Sequence, residues 1–236
     1  MHKIQYLLWD FDGTLAYRDG MWTDTLFSVL QKNEILNIKK EDIQSLLNIG
    51  FTWHSPDISH KELFLGKKWW EYYEDYFTEI YRKVNIPMDK CIKLSKEIRN
   101  EYKDFKKWHI YSDVENTLSN SISEGYQNVI LSNHIPELYE IVNKLNIGKY
   151  FYQIYSSANI GYEKPNKKIF EYVLNDLKTN NSKCIMIGDS YEADIVGSIK
   201  SGITPILVRK ENCKLYKWFC SNLEDIHKIV QIIQNN

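Results

Sequence analysis

The chain arranges its apolar residues in two patterns. Short, mostly apolar runs at 4–9, 129–131, 184–187 and 205–208, with a fifth at 151–156, are too brief for helices, and such runs predict strands buried on both faces. After residue 110 they are separated by segments of helical length. Strand alternating with helix predicts a parallel sheet with helices on both faces. A different period holds where Trp70, Tyr73, Phe77, Ile80 and Val84 recur at three- and four-residue spacing with Gly and Pro sparse around them, the mark of an amphipathic helix. Leu223, Ile226, Val230 and Ile233 predict one more such helix at the C-terminal end, and the stretch from about Asn166 to Leu177 another, with Pro165 in its first turn.

The first apolar run closes on Trp9-Asp10-Phe11-Asp12-Gly13-Thr14-Leu15. Two residues apart in an extended segment, Asp10 and Asp12 point to one side, and Gly13 lets the backbone turn where the strand stops. Neighbouring acids can divide labour, one ionised as nucleophile or metal ligand and the other carrying a proton because its neighbour disfavours its charge. Three downstream segments follow: Val129-Ile130-Leu131-Ser132-Asn133, Gly161-Tyr162-Glu163-Lys164-Pro165, and Cys184-Ile185-Met186-Ile187-Gly188-Asp189-Ser190, with Asp194 shortly after. In open sheets ligands bind beyond the carboxyl ends of the strands. Asp10, Ser132 and Asp189 are all expected there, in one crevice.

The order and spacing of WDFDGTL, VILSNH, GYEKPNKKIF and CIMIGDSYEADIVGSIKSG resemble the haloacid dehalogenase superfamily of phosphohydrolases. That resemblance, over roughly 4–17 and 110–209, implies a Rossmann-like α/β fold and a Mg²⁺-dependent phosphatase for a small phosphorylated metabolite. Asp10 would attack phosphorus to form an aspartyl-phosphate, and Asp12 would protonate the leaving alkoxide and then activate water. Asp10, Asp189 and the backbone carbonyl of Asp12 would hold Mg²⁺, a hard ion suited to a few carboxylates, waters and a phosphate oxygen. Lys164 would supply a fixed positive charge and Ser132 a hydroxyl to the phosphoryl oxygens, with Asn133 beside them in substrate binding. Dehalogenases of the superfamily lack the second acid, so Asp12 favours phosphate over carbon–halogen substrates. A sugar phosphomutase and a non-catalytic binding protein of the same fold are the alternatives.

Between Asp12 and Ser132 the chain is far longer than the roughly 30 residues of a strand–helix–strand unit. Residues 18–106 are therefore expected to form an inserted helical cap, in position the C1 type of the superfamily, on a core of 1–17 and 107–236. A second stripe, Trp69, Tyr72 and Tyr76, is expected to pack within the cap, with a role over the crevice as the other reading.

Length, charge and cysteines narrow the picture further. The chain has 236 residues, enough for a sizeable core, and its formal net charge of −1 gives no basic surplus for a nucleic-acid partner. No apolar run approaches the ~20 residues of a membrane span, and no signal peptide is evident. Cys91, Cys184, Cys213 and Cys220 show neither CxxC spacing nor a disulfide framework, as expected of reduced cytoplasmic thiols. A monomer or homodimer acting on a small molecule is expected.

Overall fold

In the computed structural model the described residues are 3–63, 67–211, 213 and 216–235; the few remaining positions of the segments expected at 1–17, 18–106 and 107–236 lie outside them. Six parallel strands form one sheet in the order β5-β4-β1-β6-β7-β8. They are β1 (Tyr6–Trp9), β4 (Gln127–Ser132), β5 (Phe151–Ser156), β6 (Cys184–Gly188), β7 (Thr204–Val208) and a short edge strand β8 (Phe219–Cys220). All five apolar runs of the sequence are strands. The sixth, β8, has only two residues, too few to show a period.

Strand β1 lies at the centre, with Trp9 opposite Ile130 of β4 and Ile187 of β6. Its residues alternate between two packed layers. Tyr6 and Leu8 join Val129, Leu131 and Met186 against α7 (Lys167–Asp176), which contributes Ile169, Phe170 and Val173. Leu7 and Trp9 join Ile130, Ile185, Ile187 and Ile206 on the other face, against α5 (Val114–Ser123), α6 (Leu138–Lys144) and α9 (Ile226–Asn235). Full burial on both faces is why β1, β4, β6 and β7 read as continuous apolar runs, whereas β5, at the edge of the sheet, leaves Tyr152 and Gln153 exposed. Asn166 caps α7 by accepting the Lys168 N–H at 3.0 Å, so Pro165 stands just ahead of the helix and not in its first turn.

The chain leaves the sheet after β1 through β2 (Ala16–Tyr17) and returns through β3 (His109–Ile110), and these two short strands pair antiparallel. Between them stand the helices α1 (Met21–Lys32), α2 (Lys40–Leu46), α3 (Lys67–Lys83) and α4 (Met88–Tyr102). Trp70, Tyr73, Phe77 and Ile80 of α3 are buried as their spacing predicts. Trp22 of α1 sits among them, its ring face to face with Tyr102 at 3.9 Å and 5.3 Å from Phe77. Along the second stripe, Trp69 is buried against Tyr73, while the Tyr72 and Tyr76 hydroxyls donate to the carbonyls of Gly50 and Ile49. That stripe holds the helices to one another.

Two buried glutamates join the helical segment to the sheet. The Glu137 carboxylate accepts from Trp70 Nε1 at 2.9 Å and from Arg99 Nε at 2.7 Å, and Glu163 accepts from Thr52 Oγ1 at 2.6 Å.

The unequal burial of the two α3 stripes sets an expectation for stability. Phe77→Ala should cost about 3–5 kcal/mol in urea unfolding, as large aromatic truncations in close-packed interiors do, and the half-exposed Tyr72→Ala only about 1 kcal/mol. Equal costs would contradict this packing.

Candidate active site

The site is built at the carboxyl ends of β1, β4 and β6. Pairing of β1 with β6 continues one residue beyond the strand, where the Asp10 N–H donates to the Ile187 carbonyl at 2.9 Å. The backbone then turns back, with the Gly13 N–H on the Ala16 carbonyl at 2.8 Å. Gly13 has φ +75°, and a Cβ there would stand 2.6 Å from Asp189 Oδ2. Both the left-handed backbone and the close approach of the second acidic strand tip require glycine. Thr14 Oγ1 reinforces the approach by donating to Asp189 Oδ1 at 3.3 Å.

Lys164 is the centre of the arrangement. Its Nζ donates to Asp10 Oδ1 at 2.9 Å and to Asp194 Oδ1 at 2.6 Å, with 1% of its side chain exposed. Burial alone would lower the ammonium, but the carboxylates of Asp10 and Asp194 outweigh it and hold Lys164 above the ordinary lysine range. Asn133 fixes the backbone of this lysine: its Oδ1 accepts the Lys164 N–H at 2.7 Å and its Nδ2 donates to the Lys164 carbonyl at 2.8 Å. Asn133 thus both lines the cavity and places Lys164.

Asp194 belongs to a turn of π-helix, Tyr191–Val196, that leads into α8 (Gly197–Lys200). The wider turn aims its carboxylate back at the β6 tip, where Oδ2 accepts the Ser190 N–H at 3.0 Å. Gly188 makes room for it, since a Cβ there would stand 2.1 Å from Asp194 Oδ2. The sequence offered one signal for Asp194, an acid five residues after Asp189 on the strand-to-helix turn, but no periodicity reveals the π turn that directs it.

Facing this group are polar atoms without partners: Asp12 Oδ1, Ser132 Oγ and both ring nitrogens of His134. Burial, and then the charges of Asp10 and Asp189, push the Asp12 carboxyl well above its ordinary range, against the pull of Lys164 and Arg18. In such a place the charged form of the carboxyl is disfavoured. Burial pushes His134 down to about 4, leaving a neutral imidazole among Phe11, Tyr102 and Trp108, with Nε2 3.8 Å from Asp12 Oδ1. From the sequence His134 reads as a helix start before Pro136, with an approach to the substrate as the other reading. Helix α6 begins at Leu138 and the ring lines the cavity.

That cavity has a volume of about 450 Å³. Its lining includes Asp10, Asp12, Ser132, Lys164 and Asp189 together with Met21, Trp22, Trp53, Pro56 and Tyr102 of the helical segment. Trp69, Tyr72 and Tyr76 are not among its lining residues. Oxygens of Asp10, Asp189 and Asp194 lie within 4.8 Å of one another, a donor set suited to a hard divalent cation. Asp194 has both oxygens committed, to Lys164 and to the Ser190 N–H, so Asp10 and Asp189 are the better fit.

Arg209, at the end of β7, braces the turn from behind. Its guanidinium donates to the Thr14 carbonyl at 2.9 Å and forms a two-pronged pair with Asp113 at 2.7 and 2.8 Å, and Asp113 also accepts the Leu223 N–H at 2.8 Å. Burial would raise the Asp113 carboxyl, but these donors hold it below its ordinary value.

Comparison with known proteins gives a consistent picture. The model of the haloacid dehalogenase-like hydrolase family matches residues 7–208. Among curated proteins, a glyceraldehyde 3-phosphate phosphatase of Methanothermobacter thermautotrophicus is 36% identical over 52 residues, 22% of this chain and 23% of its own. A pyrimidine 5'-nucleotidase of Escherichia coli is 44% identical over 45 residues, 19% of this chain and 20% of its own. These matches thus span about a fifth of the relatives' length. The HAD-hydrolase YfnB of Bacillus subtilis, solved bound to magnesium, superposes with a TM-score of 0.74 at 18% identity, over 98% of this chain and all of the other; at that identity the likeness is one of fold.

Two expectations follow from the site's ion pairs. Lys164→Ala should lower stability by about 3–5 kcal/mol in denaturant unfolding, because it leaves buried carboxylates without their cation, and Lys164→Ala with Asp194→Asn should recover part of that loss. An unaltered midpoint for Lys164→Ala would contradict the pairing. Asp113→Asn should cost about 2 kcal/mol at pH 7. A depressed carboxyl stabilises above its unfolded value of about 3.9 and loses that contribution as pH falls through its lower folded value, so the gap between Asp113→Asn and the native protein should be constant from pH 8 to 5 and narrow below about 4.

Proposed function

The chain belongs to the haloacid dehalogenase-like hydrolase family, and from that premise we propose that it is a Mg²⁺-dependent phosphatase of small phosphorylated metabolites. The observation that carries this reading is the convergence of Asp10, Asp12, Ser132, Lys164 and Asp189 on one cavity from separate segments of the chain. Two relatives sharing short matches are named as a phosphatase and a nucleotidase, both of which act on phosphate esters.

In this reading Asp10 is the nucleophile. Its carboxylate is buried at the strand tip and oriented by Lys164 Nζ at 2.9 Å, and it bonds phosphorus as the bond from phosphorus to the leaving oxygen breaks. Asp12 gives that oxygen its proton. Water then attacks the aspartyl-phosphate, Asp12 recovers a proton from it, and free phosphate leaves with Asp10 restored. The unpartnered Ser132 hydroxyl and the Lys164 ammonium face the phosphoryl oxygens, where donors fixed before reaction stabilise developing charge. Asp10, Asp189 and the backbone carbonyl of Asp12 would hold Mg²⁺. Bound there, the ion would neutralise negative charge on the transferring group. Residues 18–106 act as the cap, closing the cavity with Trp22, Trp53 and Tyr102.

Turnover of p-nitrophenyl phosphate should vanish in excess chelator and return with Mg²⁺. Asp189→Asn should raise the Mg²⁺ concentration needed for half-maximal rate about tenfold or more, because one anionic ligand is lost from a site with few. Full activity in chelator, or an unchanged Mg²⁺ requirement in Asp189→Asn, would sink the metal assignment.

A further inference from the structure

The lining of the cavity falls into two chemically different groups, the strand-tip acids around Lys164 and a set of aromatic rings of the helical segment that are fixed by stacking. Trp22 lies on Tyr102 at 3.9 Å and 15° between planes, and half-buried Trp53 lies on Phe51 at 4.3 Å and 11°. Met21 and Pro56 complete the wall without adding charge.

Charge is distributed just as unevenly. Among the described residues lining the cavity, Lys164 is the sole lysine or arginine, and two of its three N–H groups go to Asp10 and Asp194, leaving the third for the phosphoryl group. Arg18 acts on Asp12 from outside the lining, its guanidinium donating to the carbonyls of Glu101 and Tyr102 and lying 3.9 Å from the Glu101 carboxylate. Lys210 influences Asp189 but is not part of the lining. At the rim, exposed Glu192 adds a further negative charge. A carboxylate or second phosphate on the leaving half of a substrate would therefore be desolvated against indole and phenol rings without a cation to meet it, which is costly. An uncharged ring would instead bury apolar surface face to face with Trp53.

We infer that the site selects phosphate monoesters whose leaving group is uncharged and carries a planar ring, as a nucleoside or an arylmethanol does, and rejects those whose leaving group bears a carboxylate. This inference rests on the phosphatase reading of the site.

The test compares benzyl phosphate, uridine monophosphate and 2-phosphoglycolate with the native protein and Mg²⁺, using acetyl phosphate as a small reference. Benzyl phosphate and phosphoglycolate both release an alkoxide, so their difference reports on the wall and not on leaving ability. The expected kcat/KM for the two ring-bearing esters is at least tenfold above that for phosphoglycolate, most of it in KM. Trp53→Ala should raise KM for benzyl phosphate about tenfold, and Trp53→Phe should restore most of the loss. Equal or greater kcat/KM for phosphoglycolate overturns the inference and leaves the phosphatase reading standing. Absence of turnover for all three esters and for acetyl phosphate overturns that reading instead. Calorimetric binding to Asp10→Asn then still judges the wall, and failure of benzyl phosphate to outbind phosphoglycolate overturns the inference on its own.

Discussion

The buried ammonium of Lys164, bonded at once to Asp10 and Asp194, is the interaction on which the rest of the site depends. It joins the end of the central strand to the π turn after β6, through a loop that Asn133 holds by both ends of its amide. Without that cation, acids with oxygens within 4.8 Å of one another would share a dry crevice. Two unit charges at such a separation repel by about 3–4 kcal/mol at an effective dielectric constant near 20. One lysine relieves part of this, while burial and the neighbouring charges disfavour ionisation of Asp12 beside them. The excess that remains suits a divalent cation.

The backbone accommodates this crowding at a few positions. Gly13 and Gly188 stand where a side chain would collide with Asp189 and Asp194, while Arg209 ties the Thr14 carbonyl to Asp113 at the start of α5. The acids are thus held by close-packed turns on a rigid sheet, an arrangement that suits chemistry requiring fixed distances. Over them, the helices between β2 and β3 supply a wall of opposite character, aromatic and nearly without charge.

Much of this is legible in the chain alone, for physical reasons. Strands buried on both faces must be continuously apolar, so β1, β4, β6 and β7 stand out, and Asp10 and Asp189 follow directly from the ends of β1 and β6. The stripe from Trp70 to Ile80 is visible because one face of α3 is wholly buried. What was not legible depends on contacts between distant segments. That the Asn133 amide holds the Lys164 backbone is one such contact, between residues 31 positions apart. His134 resembles a helix start because Pro136 follows, yet packing among three aromatic rings buries it beside Asp12. Trp22, Trp53 and Tyr102 come from three separate places in the inserted segment, and no local pattern shows that they meet, whereas the conspicuous Trp69, Tyr72 and Tyr76 serve packing.

The central claim is a division of labour between Asp10 and Asp12, and trapping the phosphoenzyme tests it most directly. Asp12→Asn is mixed rapidly with p-nitrophenyl phosphate and Mg²⁺, quenched in acid and weighed by mass spectrometry. A phenolate leaves without a proton while water attack still lacks its base, so the account predicts a burst of up to one nitrophenolate per active site, with phosphate retained on Asp10 and turnover stalled. Steady turnover by Asp12→Asn, or the same burst from Asp10→Asn, would contradict it.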